Sequence, residues 1–367
     1  MPRQLTVREL NRTLLDRQWL LERRSATAVD VAQHLIGLQA QQGNPPYYGI
    51  WSRADGPTID DISAAILDKR LARVVLMRGT IHLATADDCL NLRAVVQPHL
   101  DRTLWDSTYG KRSAGVDPKA VVEVGLAALI DGPMSNKDIG VTLEEAFPGH
   151  DGNALAYLLR TLTPLVQTPP RGVWGRGGTL RYASAENWFG RPPGTDDTPD
   201  ETLLRYLAAF GPASVHDMRK WSAVTGLATA VDRLRPKLRT YTAPDGRELF
   251  DLADASISDP DTHAPARLLA AFDNALMLHT TRERIIDADS SKRIFTKNGI
   301  VEGTFLVDGF VAGSWKPTIT KTSASISLTP FRSIDREWTD ALVAEAERIL
   351  RIAAPDVADR DVVIVDD

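Results

Sequence analysis

Val74-Val75-Leu76-Met77-Arg78-Gly79-Thr80-Ile81-His82-Leu83 decides how the first part of the chain folds. Apolar and β-branched residues flank Gly79, so the stretch predicts two short strands turning at the glycine. Upstream, Leu5, Leu10, Leu14, Leu15, Trp19 and Leu20 form a broad apolar stripe at helical spacing. Residues 25–27 offer an N-cap for a second helix that carries Val31, Leu35 and Leu38. Gly43-Asn44-Pro45-Pro46 is expected to end that helix. A third helix is predicted over residues 59–66. Helices followed by a small hairpin are the order of a winged helix.

The order recurs. Ser135-Asn136-Lys137-Asp138-Ile139 reads as a polar helix start, and Leu155, Leu158, Leu159 and Leu162 mark a strong helix. Leu165-Val166-Gln167 and Leu180-Arg181-Tyr182 then flank a loop rich in Arg and Gly, residues 169–178. A third copy starts at Gly211-Pro212-Ala213-Ser214. It continues through helices over residues 215–222 and 227–238 and ends in a hairpin turning at Asp245-Gly246. Beyond about residue 262 the chain changes character. Residues 285–286, 293–295, 303–315 and 323–328 read as strands, with Asp308-Gly309 as a hairpin turn and a last helix over 337–352. The expected organisation is α+β: three tandem winged helices, residues 1–115, 116–196 and 197–258, around a central channel, then a β-rich region, 259–367.

Composition excludes several classes. Hydrophobic residues are 43% and charged residues 25% of the 367, which is ordinary globular usage and rules out a fibrous or disordered chain. The net charge is −5, so the protein is no basic nucleic-acid coat, although local charge still decides DNA binding. The single cysteine, Cys89, has no partner for an internal disulfide, and the seven histidines fall in no metal-ligand pair. No metal and no cofactor is expected. The first 24 residues lack a signal peptide's apolar stretch and no run is long enough for a membrane helix, so a cytoplasmic protein is expected.

One segment carries chemistry: Gly37-Leu38-Gln39-Ala40-Gln41-Gln42-Gly43-Asn44-Pro45-Pro46-Tyr47-Tyr48-Gly49-Ile50-Trp51-Ser52-Arg53. It resembles the AlkZ/YcaQ family of bacterial DNA glycosylases, built of tandem winged helices. The resemblance extends through Met77 to Leu83, through Phe272-Asp273-Asn274 to His279 and Arg282, and through Leu306-Val307-Asp308-Gly309 to Trp315. It implies hydrolysis of the N-glycosidic bond of bulky N7-alkylated purines, interstrand crosslinks included, in double-stranded DNA. It also implies a catalytic motif, Gln-apolar-Gln in the AlkZ branch, which Gln39-Ala40-Gln41 matches. That branch is associated with self-resistance in producers of DNA-alkylating natural products.

The residue types suit that reaction. An N7-alkylpurine is cationic and already a good leaving group, and its departure leaves an oxocarbenium-like sugar. Two amide oxygens near C1′ can stabilise that charge and hold a water, and neutral glutamines cannot protonate an intact base. Within a regular helix residues i and i+2 do not share a face. Gln39 and Gln41 are therefore expected to converge where the helix ends. They could equally solvate a helix end.

Candidate DNA contacts are Arg78 and His82 on the first hairpin, and Arg282, Arg284, Lys292, Arg293 and Lys297 in the turn-rich segment. His82 also suits a satisfied strand histidine, and the basic segment a solvated surface. Tyr47, Tyr48 and Trp51 are expected in the core. A monomeric enzyme is expected; that no coiled coil offers half-site symmetry favours the enzyme over a DNA reader. A non-enzymatic winged-helix DNA-binding regulator is the alternative.

Overall fold

The computed structural model describes residues 2–296 and 299–365; Lys297 lies outside the described residues. It mixes helices with four sheets. The largest is a six-stranded sheet made by two similar units. In the first unit, helix Ala28–His34, strand Leu38–Gln39, helices Pro45–Trp51 and Ile59–Leu67, and strands Leu71–Val75 and Ile81–Thr85 follow one another. In the second, helix Pro118–Ala128, strand Met134–Ser135, helices Asn136–Ala146 and Gly152–Leu162, and strands Leu165–Gln167 and Arg181–Ser184 repeat the order. In each unit the short strand pairs with the second strand of the hairpin. The two first strands then pair with each other, Arg73 opposite Gln167 and Val74 opposite Val166. One continuous sheet results, with a short strand at either end.

A third unit has the same order in reduced form. Ala213 bridges Phe250, and strands Leu238–Thr242 and Glu248–Leu252 form the hairpin. The first helix of the chain, Val7–Arg17, touches the first unit through its end, where the Arg17 carbonyl meets His34 and Gln18 meets Arg53, and packs its apolar side elsewhere. Leu5 and Leu10 pack with Tyr241 and Leu249 of the third unit, while Leu14, Leu15 and Leu20 pack among residues of the C-terminal region such as Leu269, Ile285 and Val311. Arg12, fully buried, donates to Asp308 at the tip of a C-terminal hairpin. The C-terminal sheet has five strands, ordered Arg267–Leu269, Gly303–Val307, Phe310–Ile319, Ser323–Pro330 and Asp359–Ile364. The last pair is parallel, which requires a crossover, and helix Arg336–Ala353 supplies it.

The chain departs from its sequence reading at the glutamine motif. The second helix stops at His34, not at residue 43. Ile36 (φ 54°) and Gly37 (φ 89°) both enter the left-handed region, and the Gly37 amide donates to the Ala32 carbonyl at 2.8 Å. This is a Schellman-type ending. Leu38 and Gln39 then form a strand beside Leu83 and His82. Pro45 and Pro46 begin a helix instead of ending one, since proline's missing N–H costs nothing in a first turn. In the C-terminal region, residues 293–294 end helix Ala288–Ile294, capped by Asp287, where a strand was expected; residues 285–286 form no strand.

Candidate active site

The strand ends at Gln39, and Gln41 lies in the bend that follows it. Ala40 is fully buried, and its amide donates to the Ile81 carbonyl at 2.7 Å, which continues the pairing past Gln39. Gln39 lines a small cavity with Pro45, Gly49 and Arg53, whereas Gln41 faces a different one. Gln39 is buried and Gln41 exposed. Arg78, in the hairpin turn at φ 59°, donates from Nη2 to Gln39 Oε1 at 2.9 Å and from Nη1 to the Trp221 carbonyl at 2.6 Å. Gln41 Oε1 lies 3.5 Å from the Ile81 amide, at the long limit of a hydrogen bond.

The motifs noted elsewhere in the sequence hold this strand. Asn274 donates to the carbonyls of Gly37 at 3.0 Å and Leu35 at 3.4 Å, fixing the turn ahead of Gln39. Its neighbour Asp273 takes two hydrogen bonds from the buried Arg53, at 2.7 and 2.9 Å. Helix Pro45–Trp51 lies so close to the strand that a Cβ at Gly49 would fall 2.8 Å from Leu38 Cδ2. Tyr47, Tyr48 and Trp51 are buried and pack with Trp174. Tyr47 Oη donates to the Gly172 carbonyl and accepts from the Trp174 amide, each at 3.1 Å, and so anchors the Arg- and Gly-rich loop of the second unit. Buried Arg73 donates to Gln167 Oε1 and the Gln42 carbonyl, both at 3.2 Å.

Gln41 and Arg78 line a cleft of about 370 Å³ between the first two units. Its other walls include Thr103, Tyr157, Arg160, Gln167 and Tyr182. The lining, among the described residues, contains no carboxylate and no lysine. Arg160 lies over the Tyr157 ring at 4.9 Å and 3.4 Å from Tyr182 Oη. Neither Arg78 nor Arg160 makes an ion pair with a carboxylate among the described residues. Burial draws Arg78 down to about 10, still fully charged at neutral pH. A larger cleft of about 470 Å³, walled by Phe305, Leu328, Phe331 and Leu342, lies in the C-terminal region away from the motif.

The other sequence candidates scatter. His82 is 1% exposed and pairs with Gln39 across the sheet. Burial, and then the Arg78 charge, push it down to about 3, so it is neutral and no phosphate ligand. Arg284 is 4% exposed and donates to the Pro212 carbonyl, so burial sets it aside as a phosphate contact. The Arg282 guanidinium, half-buried, covers the Phe295 ring at 3.7 Å. Lys292 is exposed and pairs with Asp289, and Arg293 lies over Phe331. Arg160 was not singled out from sequence. It sits on a helix whose leucine spacing reads only as core.

Comparison with known proteins gives this arrangement a class. The fold superposes on the solved structure of Streptomyces sahachiroi DNA glycosylase AlkZ with a TM-score of 0.79, covering 99% of this chain and 100% of that one at 21% identity. A curated relative from the same organism, named interstrand DNA cross-link repair glycosylase, is 26% identical over 92% of this chain and 94% of its own length. The sequence model of the family described as DNA glycosylase AlkZ-like matches residues 32–352. The chain belongs to that family of DNA glycosylases. No helix among the described residues is long and apolar enough to cross a membrane.

Proposed function

We propose that this glycosylase hydrolyses the N-glycosidic bond of bulky N7-alkylated purines in double-stranded DNA, interstrand crosslinks included, with Gln39 and Gln41 as its catalytic residues. The observation that carries the reading is the chemistry of the cleft beside Gln41. It offers amides, hydroxyls and two arginines, with no carboxylate or lysine among the described residues. A neutral base would need an acid to leave, and a lyase would need an amine. A cationic N7-alkylpurine needs neither. It needs a polar group near C1′ and a positioned water.

In this reading the three units are tandem winged helices, with domains near residues 1–115, 116–196, 197–258 and 259–367, and the DNA runs along the cleft. Arg160, Arg282, Lys292 and Arg293 are the proposed backbone contacts. The enzyme acts as a monomer, in self-protection against a DNA-alkylating natural product. Support for the crosslink substrate is the printed name of the 26% identical relative. Support for self-protection is the Gln-apolar-Gln form of the motif. Membership of the glycosylase family weighs against the non-enzymatic regulator.

The test is incubation with duplex oligonucleotides holding one N7-alkylguanine. The expected product is an intact abasic site, cleaved only by later heat or alkali, with nothing trapped by borohydride. A borohydride-trapped complex, or tight binding without release of the base, would overturn the mechanism.

A further inference from the structure

The two glutamines of the motif differ in what they can offer a substrate. Arginine has five N–H donors and no acceptor. The atom of Gln39 facing Arg78 Nη2 at 2.9 Å is therefore the amide oxygen, and the amide nitrogen is the end left over. The orientation cannot easily reverse, because a flipped amide would set N–H against N–H. Arg78 itself is fixed by its 2.6 Å bond to the Trp221 carbonyl, which ends a helix of the third unit. Its backbone sits at φ 59°, ψ 13°, a left-handed conformation that is strained for a non-glycine residue. A half-buried guanidinium without a carboxylate partner among the described residues is a further cost. Gln41 has no such anchor. It is exposed, and its oxygen has only the long contact to the Ile81 amide.

We propose that Arg78 is a positioning residue that fixes the Gln39 side-chain amide, so that Gln39 serves as an N–H donor and Gln41 as the oxygen acceptor of the pair. The assignment rests on the reading of Gln39 and Gln41 as the catalytic pair. An oxygen already bound to a cation is a poor group to set against a developing positive sugar. The Gln39 Nε2–H can instead hold the oxygen of the attacking water or of the sugar-phosphate. The Gln41 oxygen, held only by the long Ile81 contact, faces the cation and accepts the water's hydrogen bond. The sequence reading, in which two amide oxygens act alike, is thereby replaced by a donor and an acceptor with separate duties.

A double-mutant cycle separates the possibilities, measured as single-turnover excision of N7-alkylguanine and as duplex affinity. Arg78→Met should slow excision roughly 10- to 100-fold, the worth of a hydrogen bond to a charged group, with duplex affinity unchanged. In a Gln39→Ala background Arg78→Met should add almost nothing, because its effect passes through Gln39. Gln39→Glu, which has no donor and pairs with Arg78, should be as inactive as Gln39→Ala. It reports on the donor role even where loss of Arg78 disturbs folding. Losses that multiply in the double variant would overturn the proposal. So would a weaker duplex affinity at unchanged excision rate, the mark of a phosphate contact, or an active Gln39→Glu enzyme. Full activity in Gln39→Ala alone would instead remove the catalytic reading beneath it.

Discussion

The first and second units share a topology, a sheet and a register, yet only one carries the motif. At one end of the sheet Leu38 and Gln39 face Leu83 and His82; at the other Met134 and Ser135 face Tyr182 and Arg181. Gln39 and Ser135 hold matching places. In the second unit the next helix starts directly after Ser135, whose side chain accepts from the Asp138 amide as its N-cap. In the first unit residues 40–44 come between strand and helix. That added segment continues the strand by one pairing and displays Gln41 at the cleft. The hairpin turns differ as well. The first is tight and holds Arg78, whereas the second is the long loop seated on Tyr47. The comparison teaches that the repeat supplies the frame and a short insertion supplies the chemistry.

Gln39→Ala and Gln41→Ala should each lose roughly 10²- to 10³-fold in excision rate while still binding duplex, as removal of one preorganised polar group does elsewhere. The next effect concerns the residues opposite the matching positions, His82 buried and Arg181 exposed. Folded His82 stays neutral down to about pH 3, while the unfolded group titrates near 6.5. Its contribution is complete above pH 6.5 and is lost as the pH falls, because only the unfolded chain takes the proton. Denaturant titrations should show His82→Gln removing about 2 kcal/mol of the stability loss between pH 7 and pH 5. Replacing Arg181 should leave that slope alone.

Ser135→Ala, at the matching place in the second unit, should cost about 1 kcal/mol of stability through the lost cap. Excision per folded molecule should not change. The smallest effect belongs to Arg160. Arg160→Gln should make the plot of log affinity against log salt shallower by about 0.9, for damaged and undamaged duplex alike. An unchanged slope would remove the second unit's wall from the DNA path.

Much of the frame was legible in the sequence because it rests on local signals. The turn at Asp245-Gly246, the leucine spacing of residues 155–162 and the break near Gly79 each act within a few residues. The motif's conformation was not legible. Leu38 fits the helical stripe of Val31 and Leu35, but the helix is stopped by Ile36 and Gly37, both at positive φ. A β-branched residue there runs against its own preference, and Asn274, far along the chain, holds the turn. Charge misled for the same reason. Arg284 reads as a phosphate contact or a solvated surface group, and tertiary packing buries it, while His82 takes the second of its two readings, a satisfied strand histidine. Arg160 was hidden in the opposite way, as a polar residue on a helix that reads as core.

The most direct measurement is single-turnover release of N7-alkylguanine from duplex DNA by the Gln39→Ala, Gln41→Ala double variant beside the unaltered enzyme. Duplex affinity and thermal unfolding should be followed on the same preparations. With the glutamine pair carrying the reaction, excision falls by at least the roughly 10²- to 10³-fold of either single change, while affinity and unfolding temperature hold. Excision at the full rate by the double variant would place the chemistry elsewhere in the molecule.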